Sequence, residues 1–368
     1  MPEARVATSI HEIGRAAWEA CCPGRLEDFD YLAAVEASGL AGFQWRYVLV
    51  SEAGRPLAAA PGFFTDYSLD TTLTDAGRRL VAATRRVAPR AFTLSLASLG
   101  SPCTETLGLG VAPGEARRRE LIATLLAAFE DAAAAAGCWL LALKDAPSDD
   151  RDLKRAALEL GYQATPGMPA AELVIDFADM DGYLAGLSYA TRKDMRRKLR
   201  RSDRVRVEFR RDLNGLEDRA LELYRQTRAR SDLQFEDLTA GYFTGVPTAM
   251  GERALCPCYF LGDELIGFNL LLQDGETLLD KFFCMESARG PQHDLYFLSW
   301  FTNVRLCLDR GLKRYRSGQA GYATKLRLGS RLVGAEMLFR HRRPLVNRAL
   351  RLAAPWFADD PVPMRGAA

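Results

Sequence analysis

The chain has 368 residues, more than one compact core usually needs, so its length predicts two domains. Hydrophobic residues at 48% and charged residues at 26% exclude a disordered chain, and a net charge of +2 excludes a global field that attracts nucleic acid. No apolar run reaches the roughly 20 residues of a membrane span, and the N-terminus lacks the pattern of a secretory signal, so we expect a cytoplasmic protein.

The first half predicts a helical cover, a β-hairpin, a helix and a strand. Residues 1–42 carry helix start and stop signals, ending at Gly39. Two apolar runs around a short turn, 45–50 and 56–64, predict the hairpin. The elements that follow are a basic helix over 75–90, a strand over 92–99, a helix over 115–136 closed by Gly137, and a strand over 139–143.

The second half repeats this order without repeating the residues. The predicted elements are strands over 257–261, 265–272 and 277–285, a helix over 295–310 closed by Gly311, and a strand over 312–318. Because the unit is far longer than a solenoid repeat, the pattern predicts a duplicated domain. The fold class is therefore α/β, in the mixed α+β sense.

The connecting region supplies the domain boundary. Its predicted elements are helices over 153–160, 183–201 and 215–231 and a strand over 171–177. Pro166 and Pro169 mark a turn, so we divide the chain into residues 1–175, residues 176–343, and a C-terminal part, 344–368. That last part holds an amphipathic helix and a loose, Pro-rich end.

Eight cysteines are scattered through the chain, unlike the dense spacing of a secreted disulfide scaffold, and we expect reduced thiols. Cys256 and Cys258 have a metal-like spacing. Without a second Cys or His pair nearby they lack the usual zinc pattern, so no metal site is predicted.

Three segments in this order resemble the FemAB-like branch of the GNAT acyltransferase superfamily. They are LSYATRKDMRRKLRRSD, the three-stranded meander downstream, and the helix over 295–310 followed by SGQAGYATKLRLG. The segments FDYLAAVEASG and WRYVLVSEAGRPLAAAPGFF are similar to the first lobe of these proteins, so the resemblance covers about residues 27–343.

The resemblance implies two GNAT-like lobes, each a mixed, mainly antiparallel sheet flanked by helices. It also implies an acyltransferase that forms an amide bond. The donor would be an aminoacyl-tRNA or an acyl thioester such as acyl-CoA, with no tightly bound cofactor, and the acceptor an amine-bearing small molecule or peptide. A non-catalytic binding member of the family and a conventional acetyl-CoA-dependent N-acetyltransferase stay open as alternatives.

The sequence departs from the family pattern in two places, and the first departure concerns the donor. A GNAT lobe that binds acetyl-CoA has a glycine-spaced loop whose N–H groups cradle a pyrophosphate at a helix N-terminus. The corresponding segments here are 108–110 and 287–292, and neither has this spacing, while Pro291 removes an N–H donor. Tyr296 and Leu298 also stand where some relatives have His and Glu.

The second lobe supplies the catalytic candidates. Lys325 occupies the position of a lysine that in the resembling family contacts substrate, and as an ammonium it would stabilise an oxyanion. Alternatively it is a solvated lysine in a loop. Asp280 and Lys281 lie in an apolar strand whose alternation places one of them inside. Asp280 is the candidate base and Lys281 a substrate-binding candidate, unless the inner charge forms a plain salt bridge.

Other candidates complete the predicted site. Tyr322 and Tyr296 are possible proton donors to a leaving group, or else packing residues. His293, in the loop before the helix over 295–310, and Gln319, in the SGQAGYATKLRLG motif, are substrate-binding candidates.

A basic run extends from Arg192 to Arg211 and includes the substrate-binding candidates Arg192 and Arg196. In the resembling family this segment lies by the substrate cleft. We expect it either to attract the phosphates of a tRNA or a nucleotide-linked acceptor, or to be a solvated helix. The oligomeric state does not follow from the sequence.

Overall fold

Strands and helices alternate along the chain in the computed structural model, which describes residues 1–68, 93–230 and 235–357. The strands are β1 (Glu3–Ala7), β2 (Gln44–Glu52), β3 (Arg55–Ser68), β4 (Thr93–Leu99), β5 (Gly110–Val111), β6 (Leu140–Pro147), β7 (Gln163–Pro166), β8 (Ala170–Val174), β9 (Val205–Arg210), β10 (Ala254–Leu261), β11 (Glu264–Gln273), β12 (Thr277–Met285), β13 (Arg314–Arg316), β14 (Arg331–Val333) and β15 (Ala335–His341).

The helices in these residues are α1 (Ile10–Ile13), α2 (Arg15–Cys21), α3 (Phe29–Ala37), α4 (Arg118–Ala135), α5 (Arg151–Glu159), α6 (Met180–Gly186), α7 (Tyr189–Arg201), α8 (Glu217–Arg228), α9 (Ala240–Met250), α10 (Arg289–Gln292), α11 (Leu295–Asp309), α12 (Tyr322–Arg327) and α13 (Pro344–Phe357). The predicted helix over 75–90 and the predicted loose end, 358–368, lie outside the described residues. No helix in the described ranges is both long and apolar enough to cross a bilayer.

The strands form two mixed sheets that are mainly antiparallel. The first sheet has the order β1-β2-β3-β4-β6-β15-β7, with β5 beside β3, and β4 and β6 run parallel. The second has the order β14-β8-β13-β12-β11-β10-β9, and β12 and β13 run parallel. This architecture confirms the predicted fold class.

Both sheets contain the repeated plan of hairpin, helix and strand. In the first, β2, β3 and β4 are antiparallel neighbours, and α4 connects β4 to the parallel strand β6. In the second, β10, β11 and β12 are antiparallel neighbours, and α11 connects β12 to β13. A helix is the usual connection between parallel strands, because the chain must return to the edge where the first strand began.

The connecting helices bury an apolar face in each core. α4 is rich in Ala and Leu, which favour helix, and its buried positions include Leu121, Leu125 and Phe129 at helical spacing. α11 buries Trp300, Val304 and other residues in the same way. Each large side chain so buried contributes about 1.5–3 kcal/mol, so packing rather than propensity fixes these helices on their sheets.

The chain divides into two compact units that are interleaved in sequence. The first unit comprises residues 1–29, 41–168 and 334–368, and the second comprises residues 30–40 and 169–333. β15 therefore belongs to the first unit, where it pairs with β6 and β7, although it follows the second unit in sequence. The sequence-based boundaries at residues 175 and 343 divide the chain into consecutive parts. In the structure, residues 30–40 belong to the second unit and residues 334–343 to the first.

Two helix predictions were wrong in detail. The expected helical cover over 1–42 contains β1, which pairs with β2, as well as three helices. The expected helix over 183–201 is two helices, because Leu187 is extended and the Ser188 hydroxyl accepts a hydrogen bond from the Thr191 N–H at 3.2 Å. That hydroxyl satisfies an N–H group at the start of α7, and a new helix begins there.

All eight cysteines are free thiols with buried side chains, as expected from their spacing. Burial raises the pKa of Cys22 to about 11 and of Cys258 to about 12. A buried thiol with a raised pKa is a poor nucleophile, so these residues act as small apolar groups in the cores.

Candidate functional site

The second sheet carries a row of polar side chains on one face. Its members, one from each of four neighbouring strands, are Tyr259 on β10, Asn269 on β11, Asp280 on β12 and Tyr315 on β13. The register explains the alignment: Tyr259 is opposite Gly267, two residues from Asn269, while Asp280 is opposite Leu271. Side chains two residues apart on a strand share a face, so the four converge.

Helix α11 completes the cluster from above the sheet. Ser299 and Asn303 are one helical turn apart and both are buried. Ser299 Oγ donates to Asn269 Oδ1 at 2.9 Å, and Tyr259 donates to the same oxygen at 2.8 Å. Since a buried polar group without a partner is costly, these bonds fix the side-chain amide of Asn269 in one orientation.

Asp280 is the centre of the cluster. Its Oδ2 accepts hydrogen bonds from Asn269 Nδ2 at 3.0 Å, Asn303 Nδ2 at 3.2 Å and the Tyr315 hydroxyl at 3.0 Å, while Oδ1 accepts one from Asn269 Nδ2 at 3.0 Å. Burial raises the pKa of Asp280 to about 6, against the lowering effect of these donors and of the charge of Lys325. The carboxyl group therefore titrates close to neutral pH.

Lys325 lies in helix α12, whereas the alternative left open by the sequence was a solvated lysine in a loop. The helix follows Gly321, whose φ of 67° lies in the left-handed region, and Lys325 is only 6% exposed. Its Nζ donates to the carbonyl oxygens of Ser317 and Gly318, the latter at 3.2 Å, just beyond the end of β13. The ammonium is thus fixed where it lowers the pKa of Asp280, and the reading as a solvated lysine is wrong.

Tyr296 lies in the first turn of α11, the helix that covers the cluster, and its buried hydroxyl has no hydrogen-bond partner among the described residues. Burial, followed by the charge of Asp280, raises its pKa, so the hydroxyl lies within electrostatic reach of the carboxylate. An unpaired buried hydroxyl costs about 1–3 kcal/mol, which a bound ligand would recover. The carboxylate, the ammonium and this hydroxyl together suit an amine and a developing oxyanion.

Lys281 lies on the opposite face of β12 from Asp280, as alternation along a strand requires, and it is the site of a β-bulge. The register passes from Leu271 opposite Asp280 to Leu270 opposite Phe282, which leaves Lys281 as the extra residue. Its Nζ lies 5.4 Å from the ring centroid of Tyr31. Both charged residues are buried because helices cover both faces of this sheet: α11 packs over Asp280, and residues of α3 and α9 cover the face that carries Lys281. The prediction of a single buried charge assumed one exposed face.

Three further candidates have structural partners or positions. The Tyr322 hydroxyl donates to the carbonyl of Pro169 at 2.9 Å and so connects α12 to the residue before β8. Gln319 lies half-buried in the turn between β13 and α12. His293 follows α10 and its N–H donates to the Arg289 carbonyl at 3.2 Å. Their roles at a substrate remain predictions.

The two basic candidates on α7 differ in their surroundings. Arg192 Nη1 donates to the carbonyls of Leu184, Ala185 and Leu187 at 3.1–3.3 Å, so it caps the C-terminal end of α6. Arg196 is exposed. These contacts assign Arg192 to the fold and leave Arg196 accessible to a ligand.

Arg196 belongs to a group of exposed cations, which we call the basic stripe: Lys193, Arg196 and Arg200 at helical spacing on α7, and Arg204 in the turn that follows it. None of the four forms an ion pair or a side-chain hydrogen bond with a described residue. The neighbouring cations are engaged: Arg197 bonds to Asp194 at 2.6 Å, and Lys198 to Asp294 at 3.4 Å. The stripe is therefore the part of the basic run with charge available to an anion.

The site also contains polar residues that the sequence did not predict: Tyr259, Asn269, Ser299, Asn303 and Tyr315. Two of them carried a usable signal. Asn269 interrupts the apolar run 265–272, and Asn303 lies in the mostly apolar helix α11. Because a buried amide needs partners, an asparagine in a segment of this kind indicates a polar contact inside the protein.

The glycines at 108 and 110, compared above with a phosphate cradle, serve close packing in the first unit. A Cβ on Gly110 would lie 2.3 Å from the Cys21 carbonyl oxygen, and one on Gly108 would lie 2.9 Å from the Pro61 ring. Gly110 also pairs with Ala59 in the sheet. Because α2 and β3 lie so close to residues 108 and 110, a side chain does not fit at either position. Packing therefore accounts for these glycines, and no bound phosphate is needed to explain them.

Comparison with known families and structures places the site within a recognised domain. Residues 190–325 match the family model described as an acetyltransferase (GNAT) domain, a segment that contains Asp280, Tyr296 and Lys325. The chain is similar in structure to FemX, with 14% identity and a TM-score of 0.59, over 96% of this chain and 100% of that one. No curated protein matches the sequence.

Two other structures share the two-lobed fold. A tandem GNAT protein from the clavulanic acid biosynthesis pathway has 14% identity and a TM-score of 0.51, over 94% of this chain and 99% of that one. The C-terminal domain of a putative lysylphosphatidylglycerol synthetase from Agrobacterium fabrum has 12% identity and a TM-score of 0.53, over 98% of this chain and 99% of that one. These similarities confirm the resemblance stated from the sequence and the two GNAT-like lobes.

Proposed function

We propose that this chain, a GNAT-type acyltransferase that resembles the FemAB-like branch, forms an amide bond by moving an acyl group from a phosphate-bearing donor onto an amine. The observation that carries the proposal is the juxtaposition of Asp280 and Lys325 beside the unpaired hydroxyl of Tyr296. A buried carboxylate and a buried ammonium are expensive to maintain, and catalysis gives both a use.

In the proposed reaction, the amine nitrogen attacks the carbonyl carbon of the donor and a tetrahedral oxyanion forms. The ammonium of Lys325 stabilises that charge from its fixed position at the end of β13. Collapse of the intermediate breaks the bond to the leaving oxygen or sulfur and completes the amide. The nitrogen loses one proton and the leaving group gains one, so the charges balance.

Asp280 is the proposed base for the amine proton. A pKa of about 6 keeps most of the carboxyl ionised at neutral pH yet close enough to accept a proton during reaction. Oδ1 accepts one hydrogen bond and Oδ2 accepts three, so Oδ1 is the oxygen with room for the amine. Tyr296 is the proposed hydrogen-bond partner of the substrate.

The donor is proposed to be an aminoacyl-tRNA or an acyl-CoA, both of which carry phosphates. The basic stripe supports either, because its cations are exposed and have no counter-ion among the described residues. The number of phosphates engaged separates the two donors. Binding to single-stranded RNA weakens with salt at a slope of about 0.7 per neutralised phosphate, so a tRNA should give the steeper dependence.

Transfer assays with the whole chain test this function. The protein is incubated with radiolabelled aminoacyl-tRNA or acyl-CoA pools and a panel of primary amines, and the labelled amide is detected. Formation of an amide from either donor supports the proposal. No transfer from any donor, together with tight binding of one of the amines, would instead identify a non-catalytic binding protein.

Coenzyme A gives a second readout. A ligand that binds only the folded state raises stability, by about 2.7 kcal/mol at a concentration of 100 times its Kd. A rise in the unfolding temperature with free coenzyme A favours the thioester donor, including the conventional acetyl-CoA enzyme. If the temperature is unchanged while tRNA binds with a steep salt dependence, the aminoacyl-tRNA donor is supported.

A further inference from the structure

Helix α13, in the first unit, exposes apolar side chains. Leu345 is 83% exposed and Val346 is 38% exposed, and Ala349 is also at the surface. A surface helix normally turns its apolar side toward the core, because burial of that side is what holds it in place. Leu345 and Val346 therefore require another explanation.

Asn347 forms hydrogen bonds between α13 and its own unit. Asn347 Oδ1 accepts hydrogen bonds from the Gln163 side chain at 3.2 Å and the His341 N–H at 3.0 Å. Asn347 Nδ2 donates to the Gly161 carbonyl at 3.2 Å. Asn347 thus connects the helix to β7 and β15. The side of the helix that carries Leu345 faces solvent.

The sequence continues the apolar side along the helix. In the sequence, Leu345, Ala349, Leu352 and Trp356 recur at the spacing of one helical face, Asn347 falls on the opposite side, and Arg348 falls at the border of the apolar face. The helix has 14 residues, about 21 Å, which is too short to cross the roughly 30 Å apolar layer of a bilayer. Such a helix lies along a surface.

The charge around this helix has one sign. From residue 337 to residue 357 the chain has no Asp or Glu and five arginines, at 340, 342, 343, 348 and 351. Arg340 pairs with Glu130 at 2.7 Å, whereas Arg342 and Arg348 are exposed and have no ion pair with a described residue. An anionic surface would complement these cations.

Trp139 adds an aromatic group beside the start of the helix. It is 45% exposed, its carbonyl accepts from the Arg342 N–H at 2.9 Å, and the Arg343 guanidinium lies 4.7 Å from its ring centroid. Its ring also stacks on His341 at 6.5 Å. Tryptophan is enriched at the boundary between lipid and water because it has an apolar body and a polar N–H group.

We propose that α13 binds the surface of a bilayer containing anionic lipid, with Leu345 and its apolar face inserted and the arginines at the headgroups. An amphipathic helix with arginines and a nearby tryptophan is the composition that lies in a membrane interface. A second copy of this chain would bring the same arginines together, so like charges disfavour self-association through this face. The proposal is independent of the transfer reaction.

Co-sedimentation of the whole chain with vesicles tests the proposal. We expect binding to equal parts of phosphatidylglycerol and phosphatidylcholine and little binding to phosphatidylcholine alone. Leu345→Glu should weaken binding about tenfold or more, because one leucine is no longer transferred from water. Arg348→Gln should weaken binding about fivefold and reduce its dependence on salt.

Leu158→Glu is the matched control, since Leu158 is 46% exposed on α5 of the same unit. This variant should bind as the parent does, and circular dichroism should show that all three variants are folded. The proposal is overturned if the parent does not sediment with anionic vesicles, or if the two leucine variants lose binding equally. A concentration-dependent dimer that Leu345→Glu abolishes, without vesicle binding, would instead assign this face to a second copy.

Discussion

Replacing Asp280 by asparagine should make stability less dependent on pH. The pKa of this carboxyl is raised from 3.8 to about 6 in the folded chain, chiefly by burial. Between these two values the folded state holds a proton that the unfolded state has lost, so stability from this group is present below pH 3.8 and is lost as the pH rises through about 6. The asparagine variant has no such loss.

The magnitude follows from the size of the shift. A difference of about 2 pKa units corresponds to about 3 kcal/mol, since each unit is about 1.36 kcal/mol. An asparagine oxygen at the position of Oδ2 keeps three hydrogen bonds, while its amide nitrogen faces the Asn269 amide and loses one. That local loss is a constant offset, so it cancels when the same two proteins are compared at two pH values.

The assay is urea unfolding of both proteins at pH 4 and at pH 7.5, with pulsed hydrogen exchange of the β11 and β12 amides as a readout of the second unit. At pH 4 the carboxyl of the unfolded parent, with a pKa of 3.8, is already partly ionised, so only part of the full effect falls between the two pH values. The free energy of unfolding of Asp280→Asn, relative to the parent, should therefore rise by about 2 kcal/mol from the lower to the higher pH. An unchanged difference, or one of opposite sign, would refute a buried carboxyl group that ionises near pH 6.

Three further substitutions test the contacts around the site and in the first unit. Asn303→Leu removes a donor from the buried carboxylate and should cost about 1–3 kcal/mol of stability at pH 7.5 by urea unfolding; an unchanged midpoint would contradict it. Gly110→Ala should cost about 1–3 kcal/mol by thermal unfolding because its Cβ meets a backbone oxygen, whereas Gly186→Ala, with open space around it, should not. Arg192→Ala should cost about 1–2 kcal/mol of stability, because it removes the cap on α6. Arg196→Ala should leave stability unchanged but reduce the salt dependence of donor binding. Equal effects of the two variants on stability would contradict the separate roles given to these arginines.

The repeated hairpin, helix and strand could be predicted from the sequence because each element has a strong local pattern. The turn at Gly262 separates two apolar runs, and Gly137 and Gly311 end the two connecting helices. The missed elements lack such patterns. Helix α9 contains Pro247 and two glycines, and β1 is a short strand with a polar start. Whether a segment of this kind becomes a helix or a strand depends on its tertiary packing, because its local propensity is weak.

The pairing of β15 could not be predicted either. It follows the second unit in sequence yet lies between β6 and β7 of the first sheet, and no local pattern encodes so distant a partner. Lys325 was missed as helical because its motif is framed by glycines, although two of them, Gly321 and Gly329, mark the limits of α12. Glycine with a positive φ commonly follows the last turn of a helix, so it marks a helix end as well as a turn.

The candidate site was predicted in part. Asp280, Lys325 and Tyr296 were chosen from chemistry and resemblance, and the structure brings them within electrostatic reach of one another. The burial of Lys281 as well as Asp280 depends on helices that cover both faces of β12, which alternation along one strand does not reveal. The asparagines that hold the carboxylate depend on the same tertiary arrangement.

The central claim is that Lys325 serves acyl transfer, and a single-turnover comparison of two lysine variants tests it most directly. Lys325→Ala removes the buried ammonium beyond the end of β13, and Lys313→Ala removes an exposed one just before the same strand. With the donor and amine found for the parent, we predict that Lys325→Ala stays folded and slows amide formation about 100-fold or more, while Lys313→Ala matches the parent. Equal rates for Lys325→Ala and the parent would contradict the account.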